Sequence, residues 1–378
     1  ERDDPFLDAG SGSLVDPDQR ATGLDRQIHH LDDLLTVDFP QAATEDGRIL
    51  GEHAHITAVD GAVPGDHTIT ERPVLTQPEI HRPMTSQRIE LDDGDFIDLD
   101  WSAQIDPKKS NNKTIVLILH GLCGCSRSAY IISLQTLLNL QGIASVTMNF
   151  RGCSGDFNRL ATAYHSGISE DVDAVFSQLS SQYPEHGFVL VGYSLGANVI
   201  LKYLGESQGQ ENIKKAVAVS TPFSLTHCSQ AMLNGMSKLY GKYFVRRLAI
   251  DFKKKHEYFR AIGNSAELER IESLGSLAGI SNIWEFDDKI TAPLHGFVDA
   301  EDYYERCSSN SFLSSIKTDT LLVQSANDPL IPVSSLPSIA SLPANVSMDL
   351  SSNGGHVGFI CGSAENWLEH RILRFIED

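Results

Sequence analysis

From His81 onward the chain alternates short apolar runs with stretches in which apolar residues recur every three or four positions. Gln87 to Leu91 and Phe96 to Trp101 alternate apolar and polar side chains around Asp92-Asp93-Gly94-Asp95, the pattern of a hairpin. Thr114 to Leu119, Ile143 to Phe150, Phe188 to Val191, Ala216 to Ser220, Thr320 to Gln324 and Val346 to Leu350 read as strands. Ser128 to Leu140, Ser169 to about Gln182, Ala197 to Leu204, Ser334 to Ser341 and Ala364 to Ile376 carry helical spacing. Ser169 is expected to cap its helix, with Glu170 and Asp171 placed to favour the helix dipole. Apolar strands alternating with amphipathic helices specify an α/β architecture, a mostly parallel sheet covered on both faces.

The rhythm breaks twice. Between Pro222 and Lys317 the pattern is helical without clear strand runs, so residues 223–317 are expected to form a lid inserted into a core of 81–222 and 318–378. Within it, Lys238 to Arg260 interleaves Lys242, Arg246, Arg247 and Lys253 to Lys255 with Tyr240, Tyr243, Phe244 and Phe259. A solvated helix face is the plainer reading of that stretch; peripheral contact with anionic lipid is the other. Residues 1–80 show no sustained period, and a loosely ordered acidic extension is expected there. That segment holds 17 acidic residues, five arginines and no lysine, a net of −12 out of −20 for the whole chain. Histidines in it such as His29, His30, His53 and His55 lack a ligand spacing and read as surface residues rather than a metal site.

Composition narrows the class. The 378 residues are 41% apolar, enough for a large core. No run approaches the roughly 18 apolar residues of a membrane span. The acidic balance excludes nucleic acid as a partner, because neutralising phosphates takes a basic face. Six cysteines without framework spacing point to reduced thiols and a cytoplasmic protein. The opening residues do not form a signal peptide, although Glu1 in place of Met leaves earlier residues, and export, open. Oligomeric state is not legible.

The chemistry is carried by Gly192-Tyr193-Ser194-Leu195-Gly196, between the strand at Phe188 to Val191 and the following helix. A strand turning sharply into a helix at G-x-S-x-G exposes the serine oxygen in front of a helix N-terminus. A serine hydroxyl needs a base, and the base needs an acid to orient it. Asp328 follows the strand at Thr320 to Gln324 and His356 follows the strand at Val346 to Leu350. Both fall at the strand ends that carry Ser194, in the chain order Ser, Asp, His that α/β hydrolases use. Asp319 precedes its strand and belongs to the wrong edge, while Asp299 and Asp302 lie in the insertion. Two backbone N–H groups are expected to hold the oxyanion: Leu195, after the nucleophile, and Leu122, in His120-Gly121-Leu122. His120 is expected to brace that loop, and Cys123 has neither elbow nor base. Arg151 and His165 could touch substrate, but ion-pair or loop-bracing roles serve them as well.

These strings resemble the AB hydrolase 4 family, the YheT-like α/β hydrolases. The matching residues include Asp93 to Trp101, His120-Gly121-Leu122, Asn149 to Gly155, Tyr164 to Gly167 and Gly192 to Asn198. They continue with Glu285 to Asp288, Thr291 to Phe297, Asp302-Tyr303-Tyr304 and Gly354 to Ile360, so the resemblance spans about residue 86 to the C-terminus. It implies an α/β-hydrolase fold, Ser194, Asp328 and His356 as the triad, and esterase activity without a cofactor. In related eukaryotic members it implies medium-chain acyl esters or phospholipids as substrates. Two departures stand out: Asn327 where the family has a first aspartate, and no His-Leu-Gln-Thr string near the N-terminus. The expected function is therefore hydrolysis of short- to medium-chain carboxylic esters, with a small-molecule ester or lipid as partner. Alcohol O-acyl transfer, ester synthesis and phospholipase-type hydrolysis are the alternatives, and a non-catalytic binding protein on the same fold is the remote one.

Overall fold

In the computed structural model, which describes residues 84–102, 105–207, 211–359 and 366–378, the apolar runs pair into one eight-stranded sheet. The acidic segment expected at 1–80 lies outside the described residues. The strands are β1 (Met84–Glu90), β2 (Phe96–Ser102), β3 (Thr114–Leu119), β4 (Ala144–Asn149), β5 (Gly187–Tyr193), β6 (Ile213–Val219), β7 (Asp319–Ser325) and β8 (Val346–Ser351). They lie in the order β1-β2-β4-β3-β5-β6-β7-β8. β2 runs antiparallel to β1 and β4, joined to β1 by the predicted hairpin turn, and the other neighbours are parallel. The register pairs Leu119 with Gly192, Tyr193 with Val219, Val219 with Val323, and Ser325 with Ser351. Because these strands are parallel, the loops after β3, β5, β6, β7 and β8 all leave the sheet on one edge.

Both faces are covered. Helices α1 (Ala129–Leu140), α2 (Ser169–Gln182) and α3 (Leu195–Glu206) connect the strands from β3 to β6, and β3 divides its side chains between the two faces. Ile115, Leu117 and Leu119 pack with Val172, Val175 and Leu179 of α2. Val116 and Ile118 pack on the opposite face with Ile131, Leu134 and Leu138 of α1, and with Leu368 and Ile372 of α9 (Trp367–Glu377). Each such side chain stabilises the fold by about 1.5–3 kcal/mol through burial alone.

Two local expectations are corrected. Ser169 does not cap α2; it is the first helical residue, and its hydroxyl donates to Glu206 at 2.6 Å while accepting from Lys202 Nζ at 2.9 Å. The hydroxyl thus ties α2 to α3 instead of closing a helix end. The stretch Ser334 to Ser341 forms two separate 3-10 turns, Val333–Ser335 and Ile339–Ser341, rather than a helix. Pro337 explains it: the ring removes a donor and forces Leu336 into an extended conformation, with ψ of 144°.

Between β6 and β7 the described residues form helices joined by loops, with no strand, as the pattern predicts. The main elements are α4 (Leu225–Ala231), α5 (Ser237–Ile262), α6 (Ser265–Glu272), α7 (Ile283–Phe286), a π-helical turn at Asp287–Thr291, and α8 (Ala300–Cys307). Side chains of Asn264, Asn282 and Asp299 cap α6, α7 and α8 by accepting backbone N–H groups. On α5, Lys242, Arg247 and Lys253 are exposed, whereas Lys255 turns inward and donates to the Thr162 carbonyl at 2.6 Å. No helix among the described residues is long and apolar enough to cross a membrane.

Candidate active site

Ser194 sits at φ 53°, ψ −116°, a left-handed conformation that an L-residue adopts only when its surroundings impose it. The flanking glycines show what imposes it. A Cβ on Gly192 would lie 2.6 Å from Ala197 Cα, and one on Gly196 would lie 2.6 Å from the His120 carbonyl oxygen. The turn closes only without those side chains, with Ser194 N–H donating to Val219 O at 2.8 Å. The hydroxyl is thereby held at the mouth of the sheet edge, at the N-terminus of α3.

The loops after β7 and β8 bring the other two groups to it. His356 Nε2 lies 2.8 Å from Ser194 Oγ, and His356 Nδ1 lies 2.8 Å from Asp328 Oδ2. The second carboxylate oxygen of Asp328 accepts N–H groups of Leu330 at 2.8 Å and Ile331 at 3.2 Å. Its side chain has no solvent exposure, whereas that of His356 is 17% exposed. A buried carboxylate satisfied by two amides and one imidazole is fixed in orientation, and so fixes the ring. The geometry lets the ring accept a proton from the serine and carry it as imidazolium beside the carboxylate.

Two residues to which the sequence assigned no role, Asn327 and Ser220, position these loops. Asn327 Oδ1 accepts from Gly354 N and Gly355 N, both at 3.0 Å, and from the Ser325 hydroxyl at 2.5 Å. It therefore ties the loop of the acid to the loop of the histidine, a task an aspartate would also perform. The Ser220 hydroxyl donates to the His356 carbonyl from the loop after β6. Asn198, inside the elbow string, joins the start of α3 to Ser166 O at 2.7 Å, Cys307 O at 2.8 Å and Ser309 N at 2.9 Å. Only the exclusion of Asn198 from the apolar pattern of its helix hinted at that role.

The loop after β3 is built to leave one amide available. Gly121 N–H donates to Tyr130 OH at 2.9 Å, and Cys123 N–H donates to Tyr164 OH at 2.9 Å. Leu122 lies between them, and among the described residues no acceptor faces its N–H or that of Leu195. Leu122, Ser194, Leu195 and His356 line one pocket of about 110 Å³. His120 is fully buried beneath the loop; Nδ1 is 2.8 Å from Gly121 O, and Nε2 accepts from Phe150 N at 3.2 Å. Burial pushes its pKa down to about 4, so it stays neutral and braces the loop.

The remaining candidates fall away from the chemistry. Arg151 pairs with Asp171 at 2.6 Å and Asp93 at 2.5 Å, and is not in the pocket wall. His165 does line the pocket, its ring 4.8 Å from that of His295, and burial holds its pKa well below the usual imidazole value. Asp319 is exposed at the start of β7, on the opposite edge. Asp299 caps α8, and Asp302 accepts from Val298 N at 3.0 Å. Burial pushes the Cys123 thiol up to about 12, which leaves it protonated and unreactive. Among the described residues no group of three or more His, Cys, Asp or Glu has a metal-holding arrangement.

Known proteins share this arrangement of the chain. The α/β hydrolase fold family matches residues 114–363. The proposed esterase YheT of Escherichia coli (strain K12) is 36% identical over 81% of this chain and 88% of its own. Phospholipase ABHD3 of Bos taurus is 28% identical over 77% of this chain and 70% of its own. Monoacylglycerol lipase of Saccharomyces cerevisiae is 28% identical over 72% of this chain and 61% of its own. Among solved structures, the Pyrococcus furiosus esterase Pf2001 aligns with a TM-score of 0.50 at 17% identity, over 86% of this chain and 98% of its own. That likeness concerns the fold.

Proposed function

The chain belongs to the α/β-hydrolase family, in its YheT-like branch, and on that premise we propose that it is a serine carboxylesterase acting on short- to medium-chain acyl esters. The observation that carries this reading is the unbroken chain of hydrogen bonds from Ser194 Oγ through His356 to Asp328, each link 2.8 Å. Ser194 attacks the ester carbonyl while His356 Nε2 takes its proton. The tetrahedral oxyanion is held by the N–H groups of Leu122 and Leu195, each contributing on the order of 3 kcal/mol. His356 then passes the proton to the leaving alkoxide, which departs as the alcohol and leaves Ser194 acylated. Water, deprotonated by the same imidazole, cleaves the acyl-enzyme and restores the serine. Asp328 keeps the ring in the required tautomer and stabilises the imidazolium.

The helices between β6 and β7 serve as a lid in this reading, since Leu225, Met232, Phe244, Leu248 and Tyr304 form much of the pocket wall. A volume near 110 Å³ supports a short acyl group. Exposed Leu233, Met236 and Tyr243 stand beside exposed Lys242 and Arg247, which supports delivery of ester from an anionic lipid surface. The test is hydrolysis of p-nitrophenyl butyrate and octanoate by wild type and Ser194→Ala. Loss of turnover in the variant is expected; retained turnover rejects the reading. Ethanol in the same assay separates hydrolysis from acyl transfer: ester formed beyond the alcohol's share of nucleophile assigns transfer.

A further inference from the structure

The pocket lining falls into two chemically different groups. Met232, Phe244, Leu330 and Ile331 pack in one apolar cluster, and His165, Asp287, Thr291, Tyr303 and Tyr304 bring polar atoms to the wall. Asp287 is the unusual member. Its carboxyl accepts from Tyr304 OH at 2.6 Å and from Thr291 Oγ1 at 2.6 Å, and among the described residues no cation pairs with it. Two oxygens offer about four acceptor sites, so about half remain available. Leaving a carboxylate buried without a cation is costly, and an amide would serve the two hydroxyls with no charge at all. Its neighbour Asp288 already performs the structural task, accepting from Ala300 N at 3.1 Å.

The backbone points the same way. Asp287 opens the π-helical turn Asp287–Thr291, a conformation found frequently at functional sites, which here brings the carboxyl and the Thr291 hydroxyl together. Desolvation raises the pKa of this acid to about 6, against the lowering effect of the Thr291 and Tyr304 hydroxyls. His165 stands beside Tyr303, with ring centroids 5.8 Å apart. Its Nδ1 accepts from Gly167 N at 3.2 Å, which assigns the ring proton to Nε2. The polar part of the lining thus combines a strong acceptor with a neutral imidazole.

We propose that Asp287 is a specificity-determining residue that accepts a hydrogen bond from a free hydroxyl of the substrate, so that the enzyme prefers esters of polyols over esters of simple alcohols. The inference rests on the ester-hydrolase reading above. A hydroxyl fits the space and satisfies the carboxyl, whereas an alkyl group would strip water from it and leave it unpaired. Sites built around a buried polar group reject the analogue that lacks the matching hydroxyl.

The test compares kcat/KM for 2,3-dihydroxypropyl butanoate and propyl butanoate in wild type, Asp287→Asn and Asp287→Ala. The readout is the ratio between the two esters, because comparing that ratio across variants cancels their intrinsic reactivity. A charge-assisted hydrogen bond corresponds to about a 10- to 100-fold preference. The ratio is expected to fall by at least tenfold in Asp287→Ala and by less in Asp287→Asn, which keeps an acceptor. Equal losses on both esters would mean that Asp287 only braces Tyr304 and Thr291, and would overturn the inference. p-Nitrophenyl butyrate run alongside separates the two failures. No turnover of it by wild type sinks the ester-hydrolase reading itself, and turnover of it with an unmoved ratio sinks only the role of Asp287.

Discussion

The sheet and the helical segment that follows β6 bury different chemistry. In β3, five consecutive side chains from Ile115 to Leu119 are each 0% exposed, divided between two faces that helices cover. The segment between Pro222 and Lys317 holds small apolar clusters, buries the charged groups Lys255 and Asp287, and half-buries the His295 imidazole. The first region is stabilised by area removed from water and holds its loops still. The second gives up some stability to bury polar groups, of which Asp287 lines the pocket. Catalysis should therefore fail through the sheet-edge loops, and selectivity through the helices.

The largest effect expected on that contrast is at the acid. Asp328→Asn should keep the fold and lower kcat for p-nitrophenyl butyrate by about 10⁴, since an amide no longer holds the imidazole in the required tautomer. A loss below tenfold would break the assignment of catalysis to the loop after β7. Next in size is the sheet itself: Leu117→Ala, at a fully buried position, should cost about 2–5 kcal/mol in urea unfolding. Any surviving folded protein should have near-normal kinetics.

The helical segment should respond to pH instead. Lys255 is 7% exposed, and burial lowers its pKa from 10.5 to about 7. Between those values the unfolded chain binds the proton and the folded chain does not, so stability rises with pH across that window. Lys255→Met should be about 2 kcal/mol more stable than wild type at pH 7, with the advantage shrinking toward pH 10. An advantage independent of pH would mean that the ammonium is not the cause. The smallest effect is at the oxyanion loop, where Tyr164→Phe removes the acceptor of Cys123 N–H. One lost hydrogen bond should lower kcat by about three- to tenfold with little change in KM. An unchanged kcat would show that this tyrosine does not shape the loop.

The same contrast explains what was legible beforehand. Strand ends in a parallel sheet share an edge, so the positions of Ser194, Asp328 and His356 could be read from chain order and apolar runs alone. The role proposed for Leu122 followed from its place after β3, but the two tyrosines that hold its neighbours come from 9 and 41 residues away. The polar part of the pocket lining was not legible. Asp287 lies in Glu285 to Asp288, a string that marks the family resemblance but assigns the residue no role, and only packing against α8 directs Tyr304 toward it. The same blindness applied to Lys255, which periodicity put on a solvated face. Failure at Ser334 to Ser341 was different, because Pro337 was visible and outweighs the apolar spacing around it.

The most direct measurement is the site of covalent capture. Wild-type protein, Ser194→Ala and His356→Ala treated with a fluorophosphonate, digested and mapped by mass spectrometry, report which oxygen is nucleophilic. One adduct on the peptide carrying Ser194 is expected in wild type, with none in Ser194→Ala and labelling at least a hundredfold slower in His356→Ala. An adduct at another residue, or equal labelling of Ser194 without the imidazole, would contradict the account.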